Sequence, residues 1–220
     1  MFNHAKILIF DFETTGLNPI HDDIIEIGAL LLEKDPLGQF QVKRELNVLV
    51  IPSKPLPQKI IDITHLTDDI LLREGVSQEE AFQRFLDLYT TDVLLVAYNI
   101  QFDLSFLNTF FRRHQNRTFV LTNDLLDVMA IYKDRYRYPH RLDQAVQTYR
   151  VETKNTHRAL DDVIATYQVL LKMQEEQPNI NNYVNVIGYN PNYGVSGLKL
   201  PHIRYVAQKG GNREIEKAKG

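Results

Sequence analysis

Two segments of this chain are apolar at every consecutive position: Ile7-Leu8-Ile9-Phe10 and Val93-Leu94-Leu95-Val96-Ala97. Side chains of a strand alternate between its faces, so a strand apolar on both must be covered on both. That requirement selects a sheet with helices packed on either side. The rest of the pattern agrees. Strands are predicted at 5–12, 24–33, 39–51, 93–98 and 118–122, with "DPLG" turning the second into the third. "IPSKPLPQ" reads as a proline-interrupted loop over 51–58. Helical periodicity marks 77–89, 101–113, 125–133, 141–149 and 157–176, the first with Ser77 and Glu80 spaced as a capping box. The fold class is therefore α/β with a mixed sheet.

At 220 residues and 44% hydrophobic content, the chain can bury one ample core. No apolar run approaches the ~20 residues of a membrane span. "MFNHAK" lacks the apolar region of a secretory leader, so a cytoplasmic location is expected. The absence of cysteine excludes disulfides and thiolate zinc sites. With a net charge of −3, attraction to nucleic acid has to come from local patches. From Gln177 to Arg213 there is no Asp or Glu, and Asn, Tyr, Gly and Pro abound. The chain thus divides into 1–176 and an acid-poor extension, 177–220, irregular or short-stranded and packed on or beside the first part.

Several acids do not suit their surroundings. Asp11 and Glu13 follow directly on a buried strand and, two residues apart, share a face. They are either solvated beyond a strand that ends at Phe10 or held by a cation, since desolvating paired carboxylates costs several kcal/mol. Asp103 lies at helical spacing from Phe106, Leu107 and Phe110, on an apolar stripe. A helix-dipole role would also account for it. Asp162 shares a face with Ala159, Thr166, Val169 and Met173, whereas its neighbour Asp161 aligns with Gln168, Lys172 and Glu175. Asp162 is therefore the misplaced charge. His157 stands just before it and, beside a metal cluster, could take a proton from water.

In order and context these residues resemble the three motifs of the DEDDh exonuclease family, related to the proofreading epsilon subunit of bacterial DNA polymerase III. "DFETTGL" is similar to its first motif, "LVAYNIQFDLSFL" to its second and "HRALDD" to its third; "ITHLTDDIL" resembles the loop between the first two. The histidine five residues before Asp162 favours the histidine class, since Arg158 occupies the position of the sister group's tyrosine. Two departures fall on substrate-side positions. Tyr98 replaces the usual histidine before the second-motif asparagine, and His65 replaces a common glycine.

The resemblance implies a ribonuclease H-like fold with a central five-stranded sheet. It also implies two divalent cations, Mg²⁺ or Mn²⁺: Asp11 bridging them, Glu13 and Asp162 on the first, and Asp103 supporting the second. His157 would be the general base of a 3′–5′ exonuclease that releases nucleoside 5′-monophosphates. Thr14, Thr15, Gly16 and Leu17 would receive the terminal nucleotide, with Asn99, Phe102 and His65 as further contacts. The substrate would be a single-stranded or frayed 3′ end, DNA before RNA, and any polymerase or repair partner would be a separate chain. Two basic, aromatic stretches could track the strand behind its end: "YKDRYRYPHR" (132–141), and the extension with Lys199, Arg204 and Lys209. The alternatives are an RNA 3′ exonuclease, a catalytically silent nucleic-acid-binding accessory and, more weakly, a metal-dependent endonuclease.

Overall fold

A computed structural model describes residues 2–153 and 157–218. The chain opens with β1 (Lys6–Thr14), β2 (Ile24–Lys34) and β3 (Phe40–Leu49), an antiparallel meander. Helices α1 (Gln58–Thr64), α2 (Asp68–Glu74) and α3 (Gln78–Leu86) follow, then β4 (Leu94–Ala97) and the long α4 (Ile100–His114). Next come β5 (Leu125–Asp127), α5 (Val128–Arg135), α6 (Leu142–Tyr149) and α7 (Ala159–Glu176). The sheet order is β3-β2-β1-β4-β5, with β4 parallel to both β1 and β5. This is the mixed five-stranded sheet flanked by helices that the sequence implied.

Alternation along β1 divides the interior into two layers. Leu8, Phe10 and Phe12 pack with Phe82 and Phe85 of α3 and with Leu104 and Phe111 of α4. Ile7 and Ile9 join Val163 and Val169 of α7 and Ile131 of α5 on the other side. Every residue of β4 is buried, as its unbroken apolar run requires.

Two expectations are corrected. Residues 118–122 form no strand; Phe119 stacks on Phe111 at 4.3 Å, while the edge strand beside β4 is Leu125–Asp127. Apolar content alone did not distinguish a segment that caps a helix end from one that pairs. Helices α1 and α2 were not anticipated. Leu66 between them and Leu71 of α2 form, with Leu56 and Ile25, a small separate cluster.

Beyond α7, a 3-10 turn at Ile180–Tyr183 leads to β6 (Val186–Tyr189) and β7 (Arg204–Ala207), a parallel pair, and to α8 (Glu214–Lys217). Fully buried Asp134 of α5 anchors this extension. Its carboxylate accepts from the Tyr183 hydroxyl (3.0 Å), Gln208 Nε2 (3.1 Å) and the Ile215 and Glu216 amides (2.9 and 3.3 Å). Among the described residues no helix is long and apolar enough to cross a membrane.

Candidate active site

Asp11 and Glu13 continue the β1 face that begins with Ile7 and Ile9, so they point to the layer of α7. Whether Asp162 can meet them depends on how closely α7 approaches the sheet, and two features of β2 set that distance. Glu26, opposite Glu13 in the ladder, has no solvent exposure. Arg158 clasps it from Nε to both oxygens (3.0 Å each) and from Nη2 to Oε1 (2.8 Å), while the Ala159 amide donates to Oε2 at 3.2 Å. One bond from a helix-start amide and a forked guanidinium contact together tie the first turn of α7 to β2. The second feature is Gly28, the ladder partner of Asp11: the backbone of Ala159 and Leu160 occupies the place a side chain would take.

Docked this way, α7 brings Asp162 to the two acids of β1. Ligand oxygens of Asp11, Glu13 and Asp162 all lie within 4.8 Å of one another. Ala159, Asp162, Thr166, Val169 and Met173 are buried as a stripe, whereas Asp161 is only half-buried. Asp103 enters from α4. Its Oδ1 accepts from the Phe12 amide, between Asp11 and Glu13, at 3.1 Å. The carboxylate takes a β1 amide that lies beyond the paired stretch of β4, which ends at Ile9–Val96.

The electrostatics match the geometry. Burial, followed by the charges of Asp162 and Glu26, holds the Asp11 carboxyl well above its ordinary range. Glu13 is pushed up to about 9 by burial and by Asp11, Asp162 and Glu26, with Arg158 opposing. Asp103 is raised by burial and then by Asp11. Carboxylates so unwilling to ionise form a receptor for a cation that would replace the missing solvation. With only oxygen donors, a hard ion such as Mg²⁺ or Mn²⁺ fits.

The remaining sequence-predicted residues have separate placements. His157 is exposed, two residues before α7, with a left-handed backbone (φ 55). Thr14 donates to the Gly16 carbonyl (2.6 Å) and Thr15 Oγ1 accepts from the Asp23 amide (2.9 Å), so both hydroxyls hold the loop itself. Gly16 packs against the Asp22 carboxylate, which a side chain at this position would have to displace. Leu17 is left 84% exposed, free to meet a ligand. It lines a groove of about 600 Å³ with Asn99, Phe102 and the extension's Ser196, Gly197 and Leu198. Asn99 sits at the start of α4 with φ 65 and makes no side-chain cap, so its amide is not committed to the helix end. His65 ends α1, exposed, and lines neither this groove nor the cleft between Lys133 and Lys209.

Three contributors escaped the sequence reading. Glu26 and Gly28 set the docking of α7. Asp127, nearly fully buried, accepts from the Asn99 and Met129 amides (3.1 Å each) and thereby holds the Asn99 turn; burial raises its pKa to about 6. A signal for Glu26 existed: it interrupts the apolar run Ile24–Leu32 just as Asp11 interrupts that of β1.

The basic stretch 132–141 needs correction. Arg135 is buried and bonds to Met173, Glu176, Gln177 and Asn179, Tyr132 is core, and Tyr136 bonds Glu176. Those three are structural because their positions on α5 and at its end face α7 and the extension.

A family model described as exonuclease, RNase_T, matches residues 8–170. The PolC-type DNA polymerase III of Pediococcus pentosaceus is 32% identical over 184 residues, covering 80% of this chain and 12% of the polymerase. Crystal structures of E. coli exonuclease I share the fold. The complex with a dA16 oligonucleotide superposes with a TM-score of 0.67 at 20% identity, over 82% of this chain and 43% of that one. The zinc-bound complex with single-stranded DNA gives 0.68 at 21%, covering 82% and 42%. The chain thus spans about an eighth of the polymerase and less than half of exonuclease I.

Proposed function

The chain belongs to the RNase_T exonuclease family, and from that premise we propose that it removes nucleotides stepwise from the 3′ ends of single-stranded or frayed DNA, releasing nucleoside 5′-monophosphates. The observation that carries this reading is the convergence of Asp11, Glu13 and Asp162 within 4.8 Å, with Asp103 bonded to the backbone between the first two. Single-stranded DNA in the exonuclease I complexes supports the substrate class.

Asp11, Glu13, Asp103 and Asp162 would hold two divalent cations, Mg²⁺ or Mn²⁺. When bound, such ions offset the carboxylate charge and stabilise the charge that develops on phosphoryl oxygens during hydrolysis. The protein's part is placement. Gly28 and the Glu26–Arg158 pair hold α7 so that Asp162 stays with the acids of β1. Leu17 and Phe102 offer apolar surface to the terminal base, and Asn99 offers a polar side chain beside them. His157, exposed at the entrance to α7, accepts the proton of the attacking water as its oxygen bonds to phosphorus and the bond to the 3′-oxygen breaks.

The test is 5′-labelled single-stranded DNA, single-stranded RNA and mismatched duplex, each with Mg²⁺ or Mn²⁺. A ladder of shorter labelled DNA products, abolished by EDTA and by Asp11→Ala, is expected. Intact substrate in all three reactions refutes the proposal, and faster shortening of RNA reassigns the substrate.

A further inference from the structure

The carboxylate cluster does not account for a second groove, of about 710 Å³, that meets the first at Asn99. One wall is α5 and the segment leading to α6, with Lys133, Tyr138 and Arg141; the other is the extension, with Asn190, Asn192 and Lys209. Neither wall forms the groove alone. The extension belongs to the part of the chain beyond residue 170, where the family match ends.

The walls are joined closely. The Gly211 amide donates to the Lys133 carbonyl at 2.9 Å. Gly210 (φ 98) lies so near His140 that a side chain would sit 2.8 Å from the imidazole, and Gly211 (φ 72) similarly abuts Arg137. His140 is itself pinned, with Nε2 3.0 Å from the Tyr136 carbonyl. These contacts, with the Asp134 anchor, bring Lys133 and Lys209 to one cleft.

The lining has a consistent chemistry. Lys133 is half-buried, and burial lowers its pKa despite the charges of Asp127 and Glu214, so its ammonium lacks full solvation. Lys209 and Arg141 are exposed cations, Arg141 shared with Asp143 at 3.1 Å. Tyr138 stands 84% exposed at the rim, in edge contact with His140. Among the described residues, no Asp or Glu lines the cleft. Cations with an exposed aromatic ring, and no carboxylate in the lining itself, suit a polyanion that also carries flat rings.

We propose that this groove is a second nucleic-acid subsite, in which Lys133 and Lys209 hold phosphates of the strand on the 5′ side of the terminal nucleotide and Tyr138 stacks one of its bases. This deepens the nuclease reading and rests on it. The extension thereby makes the enzyme prefer strands longer than the first groove alone can hold.

The test uses the full chain and single-stranded DNA of two, four, eight and twelve nucleotides. KM for the wild type falls with length, and the Lys133→Gln/Lys209→Gln double variant loses that length advantage. Binding of a 5′-labelled twelve-mer, followed by fluorescence anisotropy with Ca²⁺ in place of Mg²⁺, gives a second readout. Each phosphate contact contributes about 0.7 to the slope of log affinity against log salt for single strands, so the double variant lowers the slope by about 1.4. Tyr138→Ala lowers affinity about tenfold without changing that slope. Should Lys133→Gln compromise folding, Lys209→Gln alone, at an exposed position, still lowers the slope by about 0.7. Variants that keep the wild-type length dependence and salt slope overturn the proposal. The anisotropy result stands whether or not any strand is cleaved, so absence of cleavage with a lowered slope refutes the nuclease reading and not the groove.

Discussion

Gly28→Ala is the sharpest test of how this fold assembles its acids. The added methyl would sit 2.5 Å from the Ala159 carbonyl oxygen and nearer still to its carbonyl carbon and the Leu160 nitrogen. Ordinary contact begins at 3.4 Å, and the opposing atoms are backbone, so the start of α7 must retreat by about 1 Å. Such overpacking costs about 1–3 kcal/mol. The retreat also stretches the 3.2 Å bond from the Ala159 amide to buried Glu26, a charged acceptor whose hydrogen bonds are worth about 1.5–3 kcal/mol. A combined loss of about 2–4 kcal/mol corresponds to a Tm lower by roughly 5–15 °C in a chain of this size. Asp162 moves with the helix while Asp11 and Glu13 stay on β1, and a displacement of this size costs about 100-fold in turnover. Urea unfolding, with far-UV circular dichroism to confirm the fold, and shortening of a 5′-labelled oligonucleotide would measure both. A variant that retains wild-type Tm and turnover within about threefold would refute the claim that this contact sets the site.

His157→Ala should lower kcat by about 10²–10⁴-fold, the usual range for a general base, with little effect on unfolding because the side chain is exposed; turnover near that of the wild type would remove His157 from the mechanism. Because Glu13 has a folded pKa of about 9 against an ordinary 4.5, the folded metal-free protein keeps a proton between those values that the unfolded chain releases. Its stability should therefore fall as pH rises through that window. In EDTA, Tm should decline between about pH 6 and 9, less steeply in Glu13→Gln, and Mg²⁺ should raise the wild-type Tm more at the alkaline end; equal slopes for the two proteins would contradict the assigned shift. Asp134→Ala deprives four donors of the extension of their acceptor and should cost about 3–5 kcal/mol in urea unfolding, with residues 177–218 becoming susceptible to protease. A loss below about 1 kcal/mol would show that the extension is anchored by other contacts.

What the linear sequence determined follows from periodicity and from charges out of place. Strands apolar on both faces required a covered sheet, and residues on a buried stripe of α4 or α7 could be named from spacing alone, which is why Asp103 and Asp162 were legible and Asp161 could be set aside. Short motifs kept the site's residues in order, since each acid lies within the strand or helix whose sequence pattern marks it. Only tertiary structure decided how near those elements come. The Glu26–Arg158 clasp spans 132 positions and the Gly28–Ala159 contact 131, so neither leaves a local pattern. The same holds for the second groove. The roles of Lys133 and Arg135, two residues apart on one short helix, diverge because α7 and the extension cover one side chain and leave the other facing a cleft. Spacing along a chain reports which face a side chain occupies, whereas what covers that face is set by packing between distant segments, through contacts whose energies exist only once the sheet and helices have met.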